Sequence, residues 1–238
     1  MRRANPSGFA LLLKKASLVG AFFVGVIWHF PVLAFCPQPD NPQWVAVRQV
    51  VDGDTLRLVD GRSVRLIGIN APEIGRKGRT SEPYAEAARR RLQALVKAND
   101  DRVGLVPGVE GKDKYGRTLA HIYSRNGDNL EAQLLSEGLG YRVAIAPNVR
   151  FSGCQQLAEQ VARQAGVGLW RRSPVVAASD VRQSGFAVVR GRIEGIERNR
   201  GGVWLTLGGT LVLQVPARLQ RNFPASFFDN LKGRQVEA

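Results

Sequence analysis

Three runs of alternating apolar and polar residues, WVAVRQVV (44–51), TLRLV (55–59) and SVRLIGI (63–69), constrain the fold most. Side chains two apart on a strand share a face, so this alternation marks strands with one buried side. Asp60-Gly61 between the second and third runs is a hairpin turn signal. Further strands are expected over 102–110 and 117–124, with a last strand segment within 140–146. Three helices interrupt this pattern. YAEAARRRLQALVKA follows Pro83 and places Ala85, Ala88, Leu92, Leu95 and Val96 at helical spacing. NLEAQLLSEG, entered through the Asn126-Gly127 turn, is a short helix stopped by Gly138. A third helix over 153–166 is expected to turn Cys154, Leu157, Val161 and Ala165 towards the core, and GLW at 168–170 closes the unit. Strands with appended helices, not βαβ repeats, imply an α+β fold: a small antiparallel barrel with helices packed on it.

Residues 173–183 read as a linker. Beyond it, FAVVRGRIEGIE, GVWLTL and TLVLQVPARL are strand-like runs broken by glycines, with almost no helical period. Residues 184–238 are therefore expected to be a smaller all-β segment, OB-like and incomplete as it stands.

At the other end, Arg2, Arg3, Lys14 and Lys15 precede a charge-free apolar run from Ala16 to Phe35. This is the order of an export signal. Cleavage after Ala34 makes residues 1–34 a signal peptide and 35–43 a Pro-rich lead-in to a domain over 44–172. Left uncleaved, residues 16–35 are about the ~20 needed to span a bilayer and would anchor the chain to the inner membrane. Either way the body is exported, to the periplasm or beyond, and membrane contact is expected only for the uncleaved form. Export makes Cys36 and Cys154, the only cysteines, a candidate disulfide. A monomer is expected. The net charge of +14 favours an anionic partner, which nucleic acid, phospholipid headgroups or acidic polysaccharide would each satisfy.

The scarcer charge is the acidic one, and VVDGDTLRL (50–58) concentrates it. Asp-Gly alone is a common hairpin corner. Read as part of a strand, the segment puts Asp52 and Asp54 on one face, where a buried acid pair needs a cation or arginines beside it. Arg65 lies on the neighbouring hairpin strand, which runs out through Asn70-Ala71-Pro72-Glu73, and DKYGR (113–117) presents Tyr115 and Arg117 on a tight turn. Carboxylate, amide and carbonyl oxygens suit a hard cation, and guanidiniums clamp phosphate and stabilise the charge it develops. His29 and His121 are the only histidines. His29 falls in the leader, and His121 in the alternating strand LAHIY has a structural or surface role. Histidine-based nucleases and Ser-His-Asp hydrolases are thus poorly supported. The inventory describes phosphodiester hydrolysis by attack of a metal-held water.

VVDGDTLRL, VRLIGINAPE, DKYGRTLAHIY, the helix ending in EGL and the closing GLW, in this order and spacing, resemble the staphylococcal nuclease (thermonuclease) family over about residues 44–170. The resemblance implies a five-stranded OB-fold barrel with three helices. It also implies a calcium-dependent, sugar-nonspecific endonuclease that cuts DNA and RNA and leaves 3′-phosphates. On that resemblance Asp54 matches the direct calcium ligand, Asp52 a nearby acid acting through water, and the Ala71 carbonyl another ligand. Arg65 and Arg117 match the phosphate-binding arginines, and Glu73 the general base. Lys114 and Tyr115 would lie beside the bound nucleotide. Asn70 departs from the pattern, standing where better-known members carry a second ligating aspartate. An amide oxygen coordinates without adding charge, so weaker Ca2+ binding and use of other divalent cations are expected. The tyrosines near the last barrel segment of family members have no clear match in GYRVAIAP. Two rivals stand beside the enzyme: a nuclease-like module that only binds nucleic acid, and an envelope protein whose basic surface holds lipid or polysaccharide.

Overall fold

The computed structural model describes residues 36–238 apart from Lys77, Gln183, Thr210 and Ala225. The expected signal or anchor segment lies outside the described residues. Among those described, no helix is long and apolar enough to cross a membrane.

Five strands close a barrel: β1 (Gln43–Val50), β2 (Thr55–Leu58), β3 (Ser63–Leu66), β5 (Arg102–Lys112) and β6 (Thr118–Tyr123), in the order β1-β2-β3-β6-β5. β5 returns to β1, and only the β3–β6 pairing is parallel. The alternation in the sequence is realised in β2, where Leu56 and Leu58 are buried on either side of exposed Arg57. β2 and β3 join through a turn in which Gly61 adopts φ +91°, a conformation that favours glycine. A short pair, β4 (Ile69–Asn70) with β7 (Tyr141–Arg142), extends one end of the barrel.

Helix α1 (Ala85–Lys97) buries Ala85, Ala88, Leu92, Leu95 and Val96, the five residues its periodicity selects. Helix α2 (Leu130–Ser136) starts at Asn129, whose side chain accepts from the Ala132 N–H at 2.8 Å. Its Glu131 is wholly buried and accepts from the Ile122 N–H, with His121 Nδ1 3.3 Å away. Burial pushes the Glu131 carboxyl up, and His121 opposes that shift. His121 is thus a buried partner of the core acid Glu131.

Helix α3 (Ser152–Ala165) corrects the sequence expectation. It buries Gln155, Ala158, Glu159 and Ala162, while Leu157 and Val161 face outwards at 58% and 44% exposure. Cys154 is only partly buried, but its sulfur is bonded to that of Cys36, with the Cα atoms 5.3 Å apart. The expected strand over 140–146 shrinks to β7, and Gly168–Arg171 form a 3-10 turn that buries Leu169 and Trp170.

The chain continues into a second sheet with its own apolar cluster around Ile193, Leu207 and Phe228. β9 (Val188–Asn199), β10 (Gly202–Leu207) and β11 (Leu211–Pro216) form an antiparallel meander, followed by the single helical turn α4 (Ala217–Gln220). The first half of β9 pairs with β8 (Val175–Ala177) in parallel and with β12 (Gln235–Glu237) antiparallel.

Candidate active site

Asp52 and Asp54 do not lie on a strand. β1 ends at Val50 and β2 begins at Thr55, so the two acids occupy the corner between them. The corner is closed by the Val51 N–H on the Thr55 carbonyl and by the Asp54 N–H on Asp52 Oδ1 at 3.1 Å. Gly53 between them is required by space. A Cβ there would stand 2.6 Å from the Cβ atoms of both Ala71 and Ala88. Glycine therefore lets the acid corner press onto α1 and onto the strand exit at residue 71.

Asp54 is 4% exposed and fully engaged. Its Oδ1 accepts from the Thr55 hydroxyl at 3.0 Å, and its Oδ2 accepts from the Ala71 N–H at 2.7 Å and pairs with Arg65 at 3.1 Å. Burial raises the Asp54 carboxyl to about 7, with the Asp52 charge adding to the effect and Arg65 and the two hydrogen bonds opposing it. Two carboxylates are buried here against one guanidinium.

Arg65 is held rather than extended. It donates to the carbonyls of Leu66 and Ile69 at 3.0 and 2.8 Å and to Asn70 Oδ1 at 3.0 Å, in addition to its ion pair with Asp54. These bonds wrap residues 66–70 around the guanidinium and bring Asn70 and Ala71 to the acid corner. Helix α3 backs this wrap, because Gln155 Nε2 donates to the Ile67 carbonyl at 3.0 Å.

From Ala71 the chain leaves as a loop tied across its base. The Glu82 N–H bonds the Glu73 carbonyl, and the Glu73 N–H bonds Glu82 Oε2, each at 2.9 Å. Facing this loop is the turn between β5 and β6, in which Gly116 takes φ +80° and Asp113 Oδ1 accepts from the N–H groups of Tyr115 and Arg117. Arg117 Nε donates to Asp113 Oδ2 at 2.6 Å. Burial pushes the Asp113 carboxyl up, but its bonds from Arg117 and Tyr115 outweigh that and hold it below its ordinary value.

Loop, corner and turn enclose a cleft of about 900 Å3 that brings Asp52, Glu73 and Arg117 onto one wall system with Arg57, Arg76, Arg79 and Glu82. Asp54 and Arg65 lie behind that wall. Lys114 and Tyr115 stand at the exposed hairpin tip, where the Lys114 ammonium and the Arg117 guanidinium approach the Tyr115 ring at 5.0 and 5.6 Å. Arg57, Arg76, Arg79 and Glu82 are cleft residues that the sequence reading did not single out. The available signals were Arg57 outward between two buried leucines, and the basic loop GRKGRTSE.

The oxygen groups the structure brings to the corner are two carboxylates and the Asn70 amide, whose Oδ1 accepts from Arg65, and Ala71 meets them through its N–H. Among the described residues there is no group of three or more His, Cys, Asp or Glu side chains placed to hold a metal. The donor set is nevertheless that of a hard cation. Two buried carboxylates beside one guanidinium are an environment that a divalent ion fits.

The family description "Staphylococcal nuclease homologue" matches residues 63–172, which include Arg65, Asn70, Ala71, Glu73, Lys114, Tyr115 and Arg117. The thermonuclease of Staphylococcus intermedius is 34% identical over 130 residues, covering 53% of this chain and 75% of that protein. This chain belongs to the staphylococcal nuclease family. Another relative is endonuclease YncB of Bacillus subtilis, 32% identical over 137 residues, covering 56% of this chain and 64% of the relative. An uncharacterized endonuclease of Haemophilus influenzae is 28% identical over 158 residues, covering 65% of this chain and 80% of that protein. The closed five-stranded barrel with α1, α2 and α3 is the staphylococcal nuclease fold in this chain, and the β8–β12 sheet is added to it.

Proposed function

We propose that this staphylococcal nuclease family member is an exported endonuclease that hydrolyses phosphodiester bonds of DNA and RNA with a divalent cation, calcium first among the candidates. The observation that carries this reading is the one cleft lined together by Asp52 of the acid corner, Glu73 and Arg117. A cation held by Asp52, Asp54, the Asn70 amide oxygen and the Ala71 carbonyl would polarise the phosphoryl group and lower the pKa of a water. Arg117 binds the phosphate. Asp113 takes its Nε and fixes the plane of the guanidinium, which leaves the terminal amino groups to donate to phosphoryl oxygens. Glu73, exposed in the lining of the cleft, accepts the proton lost by the attacking water. Arg65 neutralises part of the acid corner and holds residues 66–70 in place, so its first role is to keep the donor set assembled. Leader, disulfide and calcium are consistent with one another, because an oxidised protein outside the cytoplasm meets abundant calcium.

The test is cleavage of single-stranded DNA and RNA across a calcium titration, with an EGTA arm and Arg117→Ala beside the parent. Arg117 is the informative arginine. Arg65→Ala would strip a buried carboxylate of its ion partner, a change that costs about 3–5 kcal/mol and confounds folding with catalysis. Cation-dependent cutting, 3′-phosphate ends, and a loss of 100-fold or more in Arg117→Ala with unchanged circular dichroism are expected. Folded parent protein that binds DNA but cuts none with calcium, manganese or magnesium would defeat the enzyme reading in favour of a binding module.

A further inference from the structure

A second cleft, of about 920 Å3, opens where the added sheet meets the nuclease fold. That volume lies within the roughly 300–1,000 Å3 typical of ligand pockets. Three aromatic side chains from separate segments line it: Tyr84 before α1, Tyr141 of β7 and Phe186 leading into β9. Tyr84 and Phe186 are 37% and 53% exposed, much for aromatic groups lining a concave surface. Tyr141 and Phe186 sit 5.1 Å apart at a 45° tilt, and the Tyr141 ring meets Trp170 edge-on at 5.9 Å. Tyr84 is held at φ 67°, a left-handed conformation that is uncommon for a bulky residue. Backbone held in such a region tends to occur at functional sites.

Arg171 and Arg172 stand on the rim of this cleft, both exposed, and neither forms an ion pair among the described residues. The cleft acids are Glu73 and Glu82, and the same two residues line the catalytic cleft, so the two depressions share that wall. The wall contributed by the added sheet is pinned. Glu237 of β12 bonds both Arg163 of α3 and Arg190 of β9, and the Arg163 guanidinium lies 3.9 Å from the centre of the Trp170 ring.

We propose that this cleft is a nucleobase-binding subsite for single-stranded nucleic acid, occupied by nucleotides next to the bond that the catalytic cleft receives. The proposal rests on the nuclease reading of that neighbouring cleft. Aromatic faces stack unpaired bases of any sequence, and guanidiniums track the phosphates between them. The distribution of charge suits that ligand: arginines at the outer rim take the backbone, aromatic rings take the bases, and the acids lie only on the side shared with the hydrolytic cleft. In a duplex the base faces are already covered by their neighbours, so this surface selects single strands. Phe186, Arg171 and Arg172 are contributed by residues at or beyond the end of the nuclease fold, which gives the added sheet a role in gripping substrate.

The experiment measures binding of a fluorescent twelve-residue oligothymidine to the full protein in EDTA, which halts turnover, across a range of salt concentrations. Phe186→Ala should weaken binding by roughly five- to 150-fold, the range of one lost stacking contact. Arg171→Ala/Arg172→Ala should flatten the salt dependence by about 1.4 in log–log slope, the value for two phosphate contacts on a single strand. Leu157→Ala, on the outer face of α3, serves as the surface control and should match the parent. Affinities within twofold of the parent for Phe186→Ala and an unchanged salt slope for the arginine variant would overturn the proposal and leave the cleft to an apolar peptide or another occupant. Equal losses in Leu157→Ala would overturn it too. Since binding in EDTA needs no turnover, a parent protein that cuts nothing would sink the nuclease reading without altering this comparison.

Discussion

Removing the disulfide is the perturbation whose size follows most directly from the structure. Cys36 and Cys154 are separated by 118 positions, so the bond encloses the whole barrel together with α1, α2 and the start of α3. In the loop-entropy model a closure of this length lowers the entropy of the unfolded chain by an amount worth about 5 kcal/mol at 25 °C. The native state adds smaller terms. Cys36 is fully buried, the Tyr123 hydroxyl donates to the Pro37 carbonyl at 3.3 Å, and Pro42 sits against Gly104, so the lead-in is held by more than the sulfur. Those contacts persist when the bond is cut, and the loss is expected to arise in the unfolded state. For a protein of this size each kcal/mol moves the midpoint by about 2–4 °C, so Cys36→Ala/Cys154→Ala should melt about 10–20 °C below the oxidised parent. Calorimetry of the parent, the double variant and the parent in reductant measures this, and urea titration adds a second criterion. An unfolded chain released from its cross-link exposes more surface, so the urea m-value should rise in the variant. A midpoint within about 2 °C of the parent, with the same m-value, would refute the entropic account.

Two further perturbations bear on the site and on the docking of the added sheet. Gly53→Ala forces a methyl group against Ala71 and Ala88, so it should destabilise the protein by about 1–3 kcal/mol and displace the acid corner. A urea midpoint and a cleavage rate both equal to the parent's would show that the corner has room the structure denies it. Glu237 is pushed up by burial, but hydrogen bonds from Arg163 and Arg190 outweigh this and hold its carboxyl below its ordinary 4.5. A carboxyl lowered in the folded state contributes stability that is complete above its ordinary value and disappears as pH falls through the lowered one. The difference in urea midpoint between the parent and Glu237→Gln should therefore be present at pH 7 and vanish towards pH 3, and a difference independent of pH would count against the ion bridge.

Elements carried by a simple period were legible in the sequence. β1, β2, β3 and α1 each bury one side against side chains, and alternation or helical spacing therefore finds them, down to the five residues of α1 that face the core. The acid corner was legible in its residues and not in its backbone. Asp52 and Asp54 are brought together by a turn, and the strand alternation on both sides of VDGD conceals that it is a corner. Gly53 carries the missing information, because glycine there reports close packing that no periodicity contains. The tight use of Arg65 was equally hidden: three of its four partners lie within five residues along the chain, but they converge only because residues 66–70 fold back over the guanidinium.

Helix α3 shows why hydrophobic spacing selected the wrong face. Its buried face meets two backbone groups of the β4–β7 end as well as apolar side chains, and buried backbone groups demand polar partners. Gln155 Nε2 satisfies the Ile67 carbonyl, and Glu159 Oε1 accepts the Arg142 N–H at 2.8 Å, so the two polar residues point inwards. Ala158 and Ala162 beside them are small enough for close approach, whereas Leu157 and Val161 would hold the helix away. The fit extends to Gly68, at φ +86°, where a Cβ would stand 2.0 Å from Gln155 Oε1. What this face supports is the β4–β7 pair, and that pair carries Asn70 towards the acid corner and Tyr141 towards the aromatic cleft. The other carboxylate oxygen of Glu159 holds Arg163, which in turn grips Glu237 of the added sheet. One polar helix face thus underlies the acid corner, the proposed base-binding cleft and the attachment of the added sheet.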